Sequence, residues 1–137
     1  MTTDRYQKGL DKLKELTVPT AESATGHMDI GEGFKDIAPD LRKYVVEFAF
    51  GDIYARPGID NKQKVLTTIS ALVAQGTPQI GMHVVTGLNV GLTADEIVGC
   101  IMHLIPYVGF PRALNALRVA QEVFAEQGVA VTPIDID

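Results

Sequence analysis

Between residues 62 and 127 the chain repeats one device: an apolar stripe at helical spacing, stopped by glycine or proline and then begun again. Val65, Leu66, Ile69, Leu72 and Val73 make the first stripe, and Gly76-Thr77-Pro78 breaks it. A shorter helix is expected over 79–90, ended by Gly91. Thr93-Ala94-Asp95-Glu96 then places a hydroxyl at a cap and a carboxylate three residues on, a capping box. Its helix runs to about 108, with Ile97, Ile101, Leu104, Ile105 and Val108 on the core side. Pro111 opens the last helix, 111–127, striped by Leu114, Leu117, Ala120 and Phe124. No segment alternates with period two. The class is all-α, with 62–75/79–90 and 93–108/111–127 as helical hairpins.

Upstream the signals are sparser. Residues 3–16 carry Tyr6, Leu10, Leu13 and Leu16 on a lysine-rich helix. Residues 17–28, broken by Pro19 and Gly26, form a connector in which His27 is solvated. A short helix is expected over 29–37. Pro39 suits the start of another, in which Leu41, Tyr44, Val45, Phe48 and Asp52 recur at helical spacing. Arg56-Pro57-Gly58 ends it, because the residue before a proline is pushed out of the helical region. Asp60 is a good cap for the next helix. The tail, VAVTPIDID, is strand-like in composition but cannot build a sheet alone. The expected organisation is a single domain: helix and connector over 1–38, core helices over 39–127, a tail over 128–137.

Composition narrows the partners. With 12 basic against 17 acidic residues and a net charge of −5, no basic cluster exists to neutralise phosphates, so neither nucleic acid nor a membrane is an expected partner. No apolar run approaches the length of a membrane span, and the charged opening MTTDRYQKGLDKLKEL lacks a secretory core, so a cytoplasmic location is expected. The one cysteine, Cys100, excludes dithiol chemistry within a chain. Two histidines without a carboxylate at ligand spacing, and no HEXXH, leave no metal site to expect.

Chemistry is sought where polar groups interrupt apolar helices, since ligand sites in helical proteins are lined from facing helices. Gln79, His83 and Thr86 form one such stripe; Glu96, Cys100, His103 and Tyr107 form another, bent or relaxed at Pro106. Each has a plainer structural reading. A histidine on an apolar helix is more often a hydrogen-bonded core residue, and Cys100 is most simply a small buried hydrophobe. Arg56 either caps a helix C-terminus or receives a carboxylate. Arg112, in the first turn of a helix, is a cation where the dipole disfavours one, which points to an anion nearby.

The segments GDIYARPGID, HVVTGLNVGLTADEI from His83, and PYVGFPRALNALRVAQEVF together resemble the carboxymuconolactone decarboxylase family, as does the opening RYQKGL. The match in order and spacing covers residues 5–127. The resemblance implies an alkyl hydroperoxidase D-like all-α bundle around a central helical hairpin, assembled as a homo-oligomer, a trimer or hexamer. One branch of that family carries C-x-x-C-x-x-x-H and reduces peroxides. Here the positions seven and four before His83 are Gly76 and Gln79, which disfavours that alternative.

The other branch resembles 4-carboxymuconolactone decarboxylase of aromatic-compound breakdown. It implies a cofactor-independent decarboxylase acting on a small carboxylated lactone or keto acid. By matching position His83 is the candidate acid/base or enolate-binding group, and Arg56 the candidate grip on the retained carboxylate. Tyr54, Gln79, His103, Tyr107, Arg112 and Asn115 are candidate substrate-lining residues. His103 stands where the family has a glutamine-like residue, adding a titratable group. A further alternative keeps the fold and pocket without catalysis, as an oligomeric ligand-binding protein.

Overall fold

A computed structural model describes residues 3–17 and 29–136, which fall into two compact units divided after Asp60. The connector over 18–28, with its expected solvated His27, lies outside the described residues.

In the first unit, α1 (Asp4–Leu16) begins where the Thr3 hydroxyl accepts the Tyr6 amide at 3.0 Å, satisfying one of the orphan donors of a helix start. It buries Gly9, Leu13 and Leu16. The helix expected over 29–37 is only a 3₁₀ turn, Glu32–Phe34, entered through Gly31 at φ 88°. Glu32 pairs there with Lys35 and, at 3.3 Å, with Arg42. The next segment, α2 (Leu41–Tyr44), passes without a break into a π-helix, Val45–Tyr54. The Ala55 amide accordingly reaches the Phe50 carbonyl five residues back at 3.0 Å.

That winding decides which residues face α1. When hydrogen bonds close five residues apart, i and i+5 share a face, whereas in an α-helix they diverge by about 140°. Val46 and Gly51 are such a pair, and so are Glu47 and Asp52; Val46, Glu47, Phe50 and Gly51 are the buried residues. A Cβ on Gly9 would collide with the Val46 carbonyl, and one on Gly51 with the Arg5 carbonyl. The two backbones therefore touch with no side chain between them. Arg5 clamps Asp52 with two bonds, Nε–Oδ1 at 3.1 Å and Nη2–Oδ2 at 2.6 Å, and lies 3.7 Å from Glu47. The Thr3 hydroxyl donates to Glu47 Oε1 at 2.6 Å. The stripe read at α-helical spacing is not the packed one: Tyr44 and Phe48 are exposed, because the π register and the glycine contact turn a different face inward.

The second unit is built from α3 (Asn61–Gln75), α4 (Gly81–Asn89), α5 (Ala94–Val108) and α6 (Phe110–Glu126). Here the stripes of α3 and α5 pack as their spacing requires, and that of α6 only in part. Val65, Ile69 and Val73 of α3, Val84 of α4, Ile97 and Ile101 of α5, and Ala113, Ala116, Ala120 and Phe124 of α6 are buried in one apolar cluster. Gly87 lets α4 settle against Val65, Leu92 and Ile97, each within van der Waals reach of where a Cβ would stand. The capping box forms as expected, with both Thr93–Glu96 bonds at 3.0 Å. α5 continues through Pro106 to Val108, and Gly109 at φ 86° turns the chain into α6. On α6 the small Ala113 and Ala116 are buried while Leu114 is exposed, so its inward face lies beside the expected leucine stripe. Among the described residues there is no strand. The tail leaves α6 through Gly128 at φ 66°, with the Val129 amide bound to the Phe124 carbonyl at 2.9 Å, and then runs to residue 136 without regular secondary structure.

Candidate functional site

α4 is the shortest helix of the second unit, and its sequence, GMHVVTGLN, has a single ionisable group, His83. Val84 beside it is wholly buried and Met82 is exposed, so His83 sits on the flank between core and solvent, half-buried. Burial penalises the imidazolium and holds the His83 pKa below its ordinary 6.5. The ring is therefore neutral near pH 7. It presents one nitrogen as donor and the other as acceptor, the form suited to taking a proton or binding a developing oxyanion.

The other members of the expected stripes are dispersed. Thr86 is buried and spends its hydroxyl on the Met82 carbonyl at 3.0 Å. Gln79 is exposed and precedes α4. On α5, Glu96 belongs to the cap; its bond from the Thr93 amide holds its carboxyl below the usual range. Cys100 is not a buried hydrophobe but half-buried, its Sγ 3.4 Å from the Ser70 hydroxyl and 3.9 Å from the Leu66 carbonyl, because α3 turns a serine toward it. His103 and Tyr107 come together, one helical turn apart with ring centres 5.8 Å from each other, on the exposed face of α5.

Arg112 and Asn115 also meet. They line one cavity of about 240 Å³ with Arg118, Thr77, Pro78 and Ile80. The Arg112 guanidinium donates to the Ala74 carbonyl in the last turn of α3. The cation set against the dipole of α6 thus answers the negative end of α3, so the placement that suggested a nearby anion has a partner within the fold. Arg118 went unremarked in the sequence. Its signal is the spacing 112–115–118 along one side of a helix with no carboxylate at those positions.

In the first unit, Tyr54 is half-buried and stacks on Phe50, with centres 4.9 Å apart and planes within 18°. Arg56 is exposed and donates to the Pro57 carbonyl at 3.1 Å. It opens on a broad concavity with Lys8, Lys12 and Asp52. Among the described residues no three His, Cys, Asp or Glu side chains are placed to hold a metal ion, and no helix is long and apolar enough to cross a membrane.

Comparison with known proteins agrees with this architecture. The profile of the carboxymuconolactone decarboxylase family matches residues 39–122. The chain is 31% identical over 135 residues to a 4-carboxymuconolactone decarboxylase of Acinetobacter baylyi, covering 97% of this chain and 96% of that one. It is 31% identical over 131 residues to an uncharacterised 15.0 kDa protein of Paracoccus denitrificans, covering 91% and 97%. A nitrosuccinic acid decarboxylase of Metarhizium robertsii is 32% identical over 115 residues, covering 81% of this chain and 80% of its own.

Proposed function

The chain belongs to the carboxymuconolactone decarboxylase family, and from that premise we propose that it is a carboxy-lyase for a small carboxylated lactone or keto acid. Two relatives with different named substrates, a carboxylated lactone and a nitro diacid, are both decarboxylases. What they share in chemistry is the loss of carbon dioxide next to a group that can hold the electron pair left behind. In a carboxylated unsaturated lactone that pair moves through the alkene to the carbonyl oxygen, and a proton then returns to carbon. Such a reaction asks the protein for orientation, an oxyanion partner and a proton donor.

The observation that carries the reading is His83: a neutral, half-buried imidazole on α4. It is our candidate for the proton transfer or for the hydrogen bond to the enolate oxygen. Arg56, exposed after the first unit's π-helix, is our candidate for holding the carboxylate that is kept. Tyr54, Gln79, His103, Tyr107, Arg112 and Asn115 remain candidate substrate contacts, and a homo-oligomer in the cytoplasm is the proposed working form.

Release of carbon dioxide from a panel of lactones and keto acids tests this. His83→Ala is expected to lower turnover by about 10²–10⁴-fold while the fold persists, the usual worth of a positioned acid or base. The acidic limb of kcat/KM is expected below the ordinary histidine range, following the lowered His83 pKa. Near wild-type rates in His83→Ala would reject the assignment.

A further inference from the structure

A π-helix of ten residues is rare, yet Val45–Tyr54 keeps that winding over its whole length. Something outside the segment must select it over the commoner α-helix. Arg5 is placed to do so. Its guanidinium touches two carboxylates at once: Asp52 through Nε and Nη2 at 3.1 and 2.6 Å, and Glu47 Oε2 from Nη1 at 3.7 Å. Glu47 and Asp52 stand five residues apart. They share a face when hydrogen bonds close five residues apart, and point about 140° from each other in an α-helix. One guanidinium therefore spans both only across a π turn. Glu47 is buried, and its other oxygen accepts from the Thr3 hydroxyl at 2.6 Å, so it is not free to swing round and follow.

Charge matters as much as reach. The π register brings two carboxylates to one face, and the guanidinium between them offsets their repulsion. A pair this exposed adds little to the stability of the whole fold. What it decides is a choice between two windings. That choice reaches Arg56, because the Ala55 amide closes on the Phe50 carbonyl at 3.0 Å and the Arg56 amide on the Ile53 carbonyl at 3.1 Å. Arg56 is thus tied to the final turn, and a return to α-helical winding would turn it to another direction.

We propose that Arg5 is a positioning residue: it staples Glu47 to Asp52 across one π turn, fixes the register of Val45–Tyr54, and so sets where Arg56 stands to grip a substrate carboxylate. The staple stands on contacts within the first unit. Its consequence for substrate rests on the role of Arg56 in the proposed decarboxylation.

Two measurements on the full chain test it. Couplings across hydrogen bonds, read by NMR, are expected to join the Ala55 amide to the Phe50 carbonyl in the wild type and to the Gly51 carbonyl in Arg5→Met. Arg5→Lys keeps the charge and is expected to retain the Phe50 coupling. Adding Glu47→Gln and Asp52→Asn to Arg5→Met removes the repulsion and is expected to restore it. In carbon dioxide release, Arg5→Met is expected to raise KM about tenfold and to change kcat less than about threefold, the mark of a lost ground-state grip. Arg5→Lys is expected to recover most of that KM. A Phe50 coupling absent from the wild type, persisting in Arg5→Met, or not regained in the triple variant would overturn the staple. An unchanged KM in Arg5→Met, with or without a fall in kcat, would overturn its link to Arg56. Should no acid on the panel release carbon dioxide, the proposed function fails while the couplings still decide the staple.

Discussion

The two units hold their helices together by opposite means. In the second, branched aliphatic side chains from α3, α4 and α5 interlock with the alanines and Phe124 of α6, and what binds the helices is apolar area taken from water. In the first, α1 and the π-helix meet at Gly9 and Gly51, where side chains are missing, and Arg5, Asp52, Thr3 and Glu47 form a polar clasp alongside. Contact made by side chains advertises itself as a hydrophobic period. Contact made by their absence has no period to read.

The sharpest way to break the contrast is a single methyl group. Gly9→Ala sets a Cβ against the Val46 carbonyl, and a backbone atom has no rotamer into which to retreat. The expected cost is at least about 4 kcal/mol, in the tail of single-substitution effects, seen as lost amide protection along α1. Protection equal to wild type would mean that the helices do not touch there. The matching experiment in the second unit removes rather than adds. Ile69→Ala opens a cavity in the apolar cluster and is expected to cost about 3 kcal/mol by chemical denaturation. A loss under about 1 kcal/mol would show that the neighbours of Ile69 collapse into the space.

A smaller effect separates the units by pH. His83 has a folded-state pKa below 6.5, so the unfolded chain takes up its proton first as pH falls. Its contribution is intact above about pH 6.5 and declines below, down to the folded pKa. Asp52 is lowered too, but in a more acidic range: the Arg5 hydrogen bond holds it below 3.8, so its share is full above that value and is lost as the pH falls from there through the lowered pKa. Acidification from pH 7 to 5 is therefore expected to lower the amide protection factors of α4, taken against the intrinsic exchange rate at each pH, while the Arg5–Asp52 pair stays formed. His83→Gln is expected to flatten the response in α4, and an unchanged slope would place its origin elsewhere.

The functional residues divide along a similar line. His83 was legible because a polar residue in GMHVVTGLN stands out, and its flank position keeps it half-buried. Thr86 and Cys100 stood out equally but are bonded within the fold, one to its own helix and the other to Ser70. Spacing places a residue on a face, but it does not say which neighbouring group that face will meet. Arg112 makes the point most clearly. Its oddness in the first turn of α6 was visible, yet the partner that explains it is the end of a helix 38 residues away in sequence.

From the sequence alone came the all-helical class, the apolar stripes of α3 and α5, the capping box of α5, the want of a second thiol, and the motifs shared with a decarboxylase family. These follow from local rules: periodicity, capping chemistry and residue counts. Only the tertiary structure decided the π register of Val45–Tyr54, the inward face of α6, the partners of Arg112 and Cys100, and the gathering of Arg112, Asn115 and Arg118 around one cavity. The reason is physical. Those features depend on backbones and charges brought together from distant parts of the chain, and no local pattern encodes the distance at which two helices will stop.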